Sequence, residues 1–75
     1  MQQPRMPQAV AGRIKCLMER YGVEPAEMAA AQRFSLSTWY NRMKNPQTLT
    51  LAEIEIAAKK LRTTPEKLIV GGIEL

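Results

Sequence analysis

Apolar residues recur along most of this chain at helical intervals. Val10, Ile14, Leu17, Met18 and Tyr21 follow one another at steps of four, three, one and three residues, which places them on one stripe of an amphipathic helix. Gly22 comes directly after the stripe and reads as its stop. Pro25 suits the first turn of a second, short helix, with Glu27 in that turn and Met28, Ala29 and Ala31 behind it, running out near Gln32. A third helix opens at Ser35, whose hydroxyl is a natural N-cap. It ends by Lys44 to Asn45, because the residue before Pro46 resists the α region. Thr50 to Glu53, "TLAE", is a capping box that opens a fourth helix striped by Leu51, Ile54, Ala58 and Leu61. Thr64 and Pro65 start a fifth, brief helix that carries Leu68 and Ile69. Strand alternation is faint and confined to Val70, Ile73 and Leu75.

The pattern therefore predicts an all-α fold of five short helices joined by short connections, with no repeat and no linker. Helices of this length do not stand alone in water, so their stripes must pack on one another. Residues 1–8, "MQQPRMPQ", are expected to form a flexible N-terminal segment, residues 9–70 the folded domain, and residues 71–75 a C-terminal tail.

Composition narrows the chemistry. A chain of 75 residues makes one small domain, and a domain this small buries only about 60% of its unfolded surface. Cys16 is the single cysteine, so no internal disulfide forms. A free thiol and the lack of a charged-then-apolar leader point to the cytoplasm. No apolar run approaches the ~20 residues that span a bilayer. The sequence contains no His, and its seven acidic residues are all Glu. Ser and Cys nucleophiles thus lack an imidazole base, and no Cys/His group is present to hold zinc. The only Gly pair, Gly71-Gly72, lies in the tail, so there is no glycine-rich phosphate loop. Neither an enzyme nor a metal, cofactor or small-molecule substrate is expected.

Charge changes the picture by where it lies. The net charge is +4 and the pI about 9.6, which suits an acidic partner. From Met28 through Ala52 there is no acidic residue, yet Arg33, Arg42 and Lys44 fall inside that window. At about 100° per residue, Trp39, Met43, Leu36 and Tyr40 of the third helix cluster on one side, and Ser37, Asn41 and Lys44 on the other, with Thr38 and Asn45 beside them. Trp39 reads as the core anchor. The polar side offers hydroxyls, an amide and an ammonium without any acid, so it meets a polyanion without repulsion.

Three stretches, "MAAAQRFSLSTWYNRM", "TLAEIEIAAKKL" and "TTPEKLI", together resemble the lambda-repressor-like helix-turn-helix DNA-binding domains (Cro/repressor, XRE-type) in their short phage and prophage form. Ala29 matches the small residue of the family's second helix, Phe34 the apolar turn position, Ser35 and Thr38 the opening of the recognition helix, and Trp39 its inward position. The resemblance implies a compact five-helix domain that binds double-stranded operator DNA as a transcriptional repressor or regulator. Its third helix, about 35–45, would lie in the major groove. It implies DNA contacts at Ser35, Leu36, Ser37, Thr38, Tyr40, Asn41 and Lys44, with Arg33, Arg42 and Gln47 toward the backbone.

Leu36 would then face DNA, against the helical wheel. Tyr40 either packs at the core's edge or points its hydroxyl at a phosphate. Arg33 stands where many members carry Gly, so it either bears a left-handed conformation or the turn takes another path. Pro25 replaces a common DNA-contacting Gln, and polar Gln32 stands where an apolar residue is usual. A homodimer on DNA is expected, with a seam at Ile56 or around Ile73 and Leu75. The alternative is a protein-interaction module on the same scaffold without operator binding, suggested by Ile56 lying off the stripe of the fourth helix.

Overall fold

The stripes become five α-helices in a computed structural model, which describes residues 6–70. They are α1 (Met6–Tyr21), α2 (Pro25–Gln32), α3 (Leu36–Lys44), α4 (Leu51–Lys60) and α5 (Pro65–Ile69), with a 3-10 turn at Pro46–Thr48 between α3 and α4. No strand occurs among the described residues. Val70 lies in a turn, and Ile73 and Leu75 fall outside the described residues, as do residues 1–5. α1 starts at Met6, inside the stretch expected to be loose. Pro7 permits this, because the missing N–H of a first-turn proline has no intrahelical partner to lose.

The helix starts follow the expected local chemistry. The hydroxyls of Ser35, Thr50 and Thr64 accept the main-chain N–H three residues on, at 3.1, 3.1 and 3.3 Å. Three helix ends share one device. Val23, Phe34 and Thr63 donate their N–H groups to the carbonyls of Met18, Ala29 and Ala58, five residues back, at 2.9, 2.8 and 2.9 Å. This six-to-one bond closes the helix when the residue before the donor is left-handed. Those residues are Gly22 at φ 68°, Arg33 at φ 63° and Arg62 at φ 62°. The turn after α2 therefore keeps the path that glycine favours and places an arginine on it. A side chain there costs about 1 kcal/mol relative to glycine.

The core forms where the stripes meet. Trp39, Ile14, Met28, Leu61 and Leu68 are essentially inaccessible to solvent, with Val10, Met18, Ala29, Ile54, Ala57 and Ala58 around them. α2 packs on α3 and α4, while α1 packs on α5 and on the 3-10 turn, whose Pro46 is buried. Two residues assigned to stripes lie outside this core. Tyr21, in the last turn of α1, is exposed, and Leu51, the first residue of α4, is 68% exposed. Both sit at helix ends, where much of the side chain is left open to solvent. Ile56 is exposed, as its place off the stripe indicated.

Two polar side chains tie distant elements. Arg13 Nη1 on α1 donates to the carbonyls of Leu68 and Ile69 at 2.6 and 3.1 Å, satisfying carbonyls at the end of α5 that have no helical partner. Gln32 is buried and its Nε2 donates to the Glu53 carbonyl at 2.9 Å. That bond explains how a polar group occupies an apolar position: its donor side is satisfied by α4.

Candidate nucleic-acid interface

α2, the turn Arg33–Phe34–Ser35, and α3 form a continuous unit. Phe34 packs against the core from the turn, and Trp39, 2% exposed, anchors α3 with Met43 half-buried behind it. Once Trp39 points inward, the rest of the helix is set by the 3.6-residue repeat. Leu36 is 43% exposed and Tyr40 54%, and Ser37, Asn41 and Lys44 are exposed with them. The helical wheel had grouped Leu36 and Tyr40 with the buried side. In the fold both lie outside, because α2 and the 3-10 turn take up the Trp39 side.

The other expected site residues are placed differently. Ser35 and Thr38 lie at the start of the face, but their hydroxyls serve the cap. Ser35 Oγ accepts the Thr38 N–H and donates to Thr38 Oγ1 at 3.0 Å. Arg33 is exposed in the turn just ahead of α3. Gln47 is exposed in the 3-10 turn beyond its end, while neighbouring Thr48 donates its hydroxyl to the Asn45 carbonyl at 2.7 Å. Arg42 is the residue that does not join the face. Its Nη2 meets Glu53 Oε2 at 3.3 Å, and its guanidinium lies 5.0 Å from the centre of the Phe34 ring. It falls on the Trp39 side of the helix, about 60° from Trp39 on the wheel.

The electrostatics of the face are mildly positive. Arg33 and Lys44 form no ion pair among the described residues, and the acids that flank the window, Glu27 and Glu53, pair with Lys60 and Arg42. The N-terminus of α3 adds the partial positive charge of a helix start next to Ser37. The start of α2 is the opposite case. Glu24 and Glu27 sit there, the Glu24 N–H donates to Glu27 Oε1 at 3.0 Å, and Lys60 pairs with Glu27 at 3.8 Å. Pro25 has no N–H to offer. The start of α2 is therefore both acidic and occupied.

Hydroxyls, an amide, an ammonium and one apolar side chain suit hydrogen bonding and anion contact. The contacts of Arg42 with Glu53 and Phe34 are the part of this region that the sequence did not show. The capping box identified Glu53, but nothing local connects it with a residue eleven positions earlier. The chain matches no protein-family model, and no curated protein or solved structure gives a significant match to it.

Proposed function

We propose that the protein binds double-stranded DNA in a sequence-specific way as a lambda-repressor-like helix-turn-helix regulator of phage or prophage type, acting in the bacterial cytoplasm. The observation that carries this reading is the exposed, acid-free outer face of α3, formed by Leu36, Ser37, Tyr40, Asn41 and Lys44. A helix with its side chains is about 10–12 Å across, and the major groove, about 12 Å wide, admits one. In that groove Asn41 suits a bidentate contact to adenine and Leu36 a thymine methyl, while Ser37 and Tyr40 reach further base or sugar edges. Lys44 and Arg33 lie at the two ends of the helix and contact phosphates, with Gln47 behind Lys44. α2 supports α3 without gripping the backbone itself, because its start is acidic.

One nine-residue helix reads few bases, so the functional form on DNA is a homodimer spanning half-sites one helical turn, ~34 Å, apart. Exposed Ile56 favours a seam on α4. The same residue favours the second reading, a module that binds another protein through α4 and leaves α3 unused.

A fluorescence-anisotropy titration against random DNA and DNA from the gene's own neighbourhood, at several salt concentrations, separates the two. DNA binding requires a log–log salt slope of about −0.9 per phosphate contacted and a preference for one sequence. Absence of binding at low salt leaves the protein-interaction reading.

A further inference from the structure

The outer face of α4 combines an exposed isoleucine with charges that nothing in the chain answers. α4 buries Ile54, Ala57 and Ala58, with Leu61 after them, and packs on α2 and α5. At about 100° per residue, Ala52, Ile56 and Lys59 point away from that core. All three are exposed. On one margin of this face Glu53 and Lys60 are already paired, with Arg42 and Glu27. On the other margin Glu55 is exposed, and Arg62 follows, also exposed, just past the helix end. Glu55, Lys59 and Arg62 form no ion pair among the described residues. Glu55 and Lys59 stand one turn apart, in the order that favours a pair within a helix, yet that pair is not closed.

We infer that this face pairs with the same face of a second copy of the chain, the two α4 helices running antiparallel. The inference deepens the homodimer proposed above and rests on that reading. Charge selects both the occupant and its direction. Along the face the sign changes, from Glu55 in the first half to Lys59 and Arg62 at the end. A parallel pair sets Glu55 against Glu55 and Lys59 against Lys59, and like charges brought together are costly. An antiparallel pair about a two-fold axis sets the acid of each copy against the cations of the other, and does so twice. When Ile56 of each copy lies along the aliphatic stem of Lys59 of the other, Glu55 comes within about one turn of the second copy's Lys59 and Arg62. Charges flanking an apolar seam in this way fix the orientation of paired helices. The seam is small. A ten-residue helix is about 15 Å long, and two of them bury less than the ~1,200 Å² at which stable interfaces begin. The pair therefore forms at high protein concentration, or when DNA holds two copies side by side.

Sedimentation equilibrium of the full chain without DNA, carried up to millimolar protein, tests this with Glu55→Lys and Lys59→Glu. Both side chains are exposed, so circular dichroism should show unchanged helix content in each variant. The unmodified chain should enter a monomer–dimer equilibrium. Each variant alone should dimerise more weakly by about tenfold or more, because like charges now meet across the seam. An equimolar mixture of the two variants should recover association to within about threefold of the unmodified chain, since the lysines of one then face the glutamates of the other. A charge pair confined to one chain cannot produce that recovery. An unmodified chain that stays monomeric at millimolar protein overturns the seam. Variants that associate as strongly as the unmodified chain, or a mixture no stronger than its components, overturn the antiparallel arrangement. The DNA titration is read separately. A chain that pairs in this way but prefers no DNA sequence keeps the seam and loses the proposed function, whereas specific DNA binding by a chain that never pairs keeps the function and loses the seam.

Discussion

Ahead of α3 the chain turns through Arg33, Phe34 and Ser35, and ahead of α5 through Arg62, Thr63 and Thr64. In each turn a left-handed arginine is followed by a six-to-one closing bond and then by a hydroxyl cap. The helices that emerge are used differently. α3 runs nine residues without an acid, turns Trp39 inward and leaves five side chains facing solvent. α5 runs five residues, places Leu68 in the core and has its end held by Arg13. Identical turn chemistry thus sets how a helix is started and aimed, but not what it does. Length and the composition of the outer face decide that, because a five-residue helix has no second turn to present.

The largest expected effects test whether both helices depend on their anchors. Trp39→Ala should destabilise the domain by about 3–5 kcal/mol and Leu68→Ala by about 2–5 kcal/mol. Against a total of about 5–15 kcal/mol, either change should bring the circular-dichroism melt down steeply, and Trp39→Ala further. A loss under about 1 kcal/mol for Trp39→Ala would mean that α3 is not held as described.

Next in size is the contrast between the outer faces. Asn41→Ala should cost about 1–3 kcal/mol on the preferred DNA and little on random DNA. Lys44→Ala should weaken both alike and reduce the salt slope by about 0.9. Lys67→Ala on the exposed side of α5 should alter neither quantity. Equal losses for Asn41→Ala on the two DNAs would show that α3 does not read bases through this residue.

Smaller effects belong to the turns themselves. Arg33→Gly and Arg62→Gly should each raise stability by up to about 1 kcal/mol, or about 4–8 °C in melting temperature at this chain length. Only Arg33→Gly should also flatten the salt dependence of DNA binding. If the two differ in stability instead, the turns are not equivalent. Ile56→Glu should be smallest, within about 0.5 kcal/mol on stability as for an ordinary surface change. It should nevertheless halve the protein-to-DNA stoichiometry in sedimentation if α4 forms the seam.

Much of this architecture was legible from neighbouring residues. Ser35, Thr50 and Thr64 identified three helix starts because a cap joins a side chain to an N–H only three residues away. Gly22 likewise marked the end of α1. Periodicity made the polar members of the α3 face legible but grouped Leu36 and Tyr40 with the buried side, whereas the family resemblance turned Leu36 outward and left Tyr40 between two places. Periodicity shows which residues share a side, whereas their exposure depends on how far α2 and the 3-10 turn extend over that helix. Tyr21 and Leu51 were misjudged for the same reason. Arg33 left two paths open, and the fold takes the left-handed one.

Sequence alone thus determined an all-α chain, the order of its helices, their caps and the acid-free window of α3, since each depends on residues within one or two turns of each other. Only the tertiary structure decided what becomes of Gln32 and Arg42. Taken singly, one is a polar residue at an apolar position and the other a loose cation beside a polar helix face. Their common partner, Glu53, lies 21 residues from Gln32 and 11 from Arg42. No helical spacing connects residues that far apart. Packing α2 and α3 against the start of α4 brings the three together, and burial then strengthens the contacts by removing the water that would otherwise compete for them.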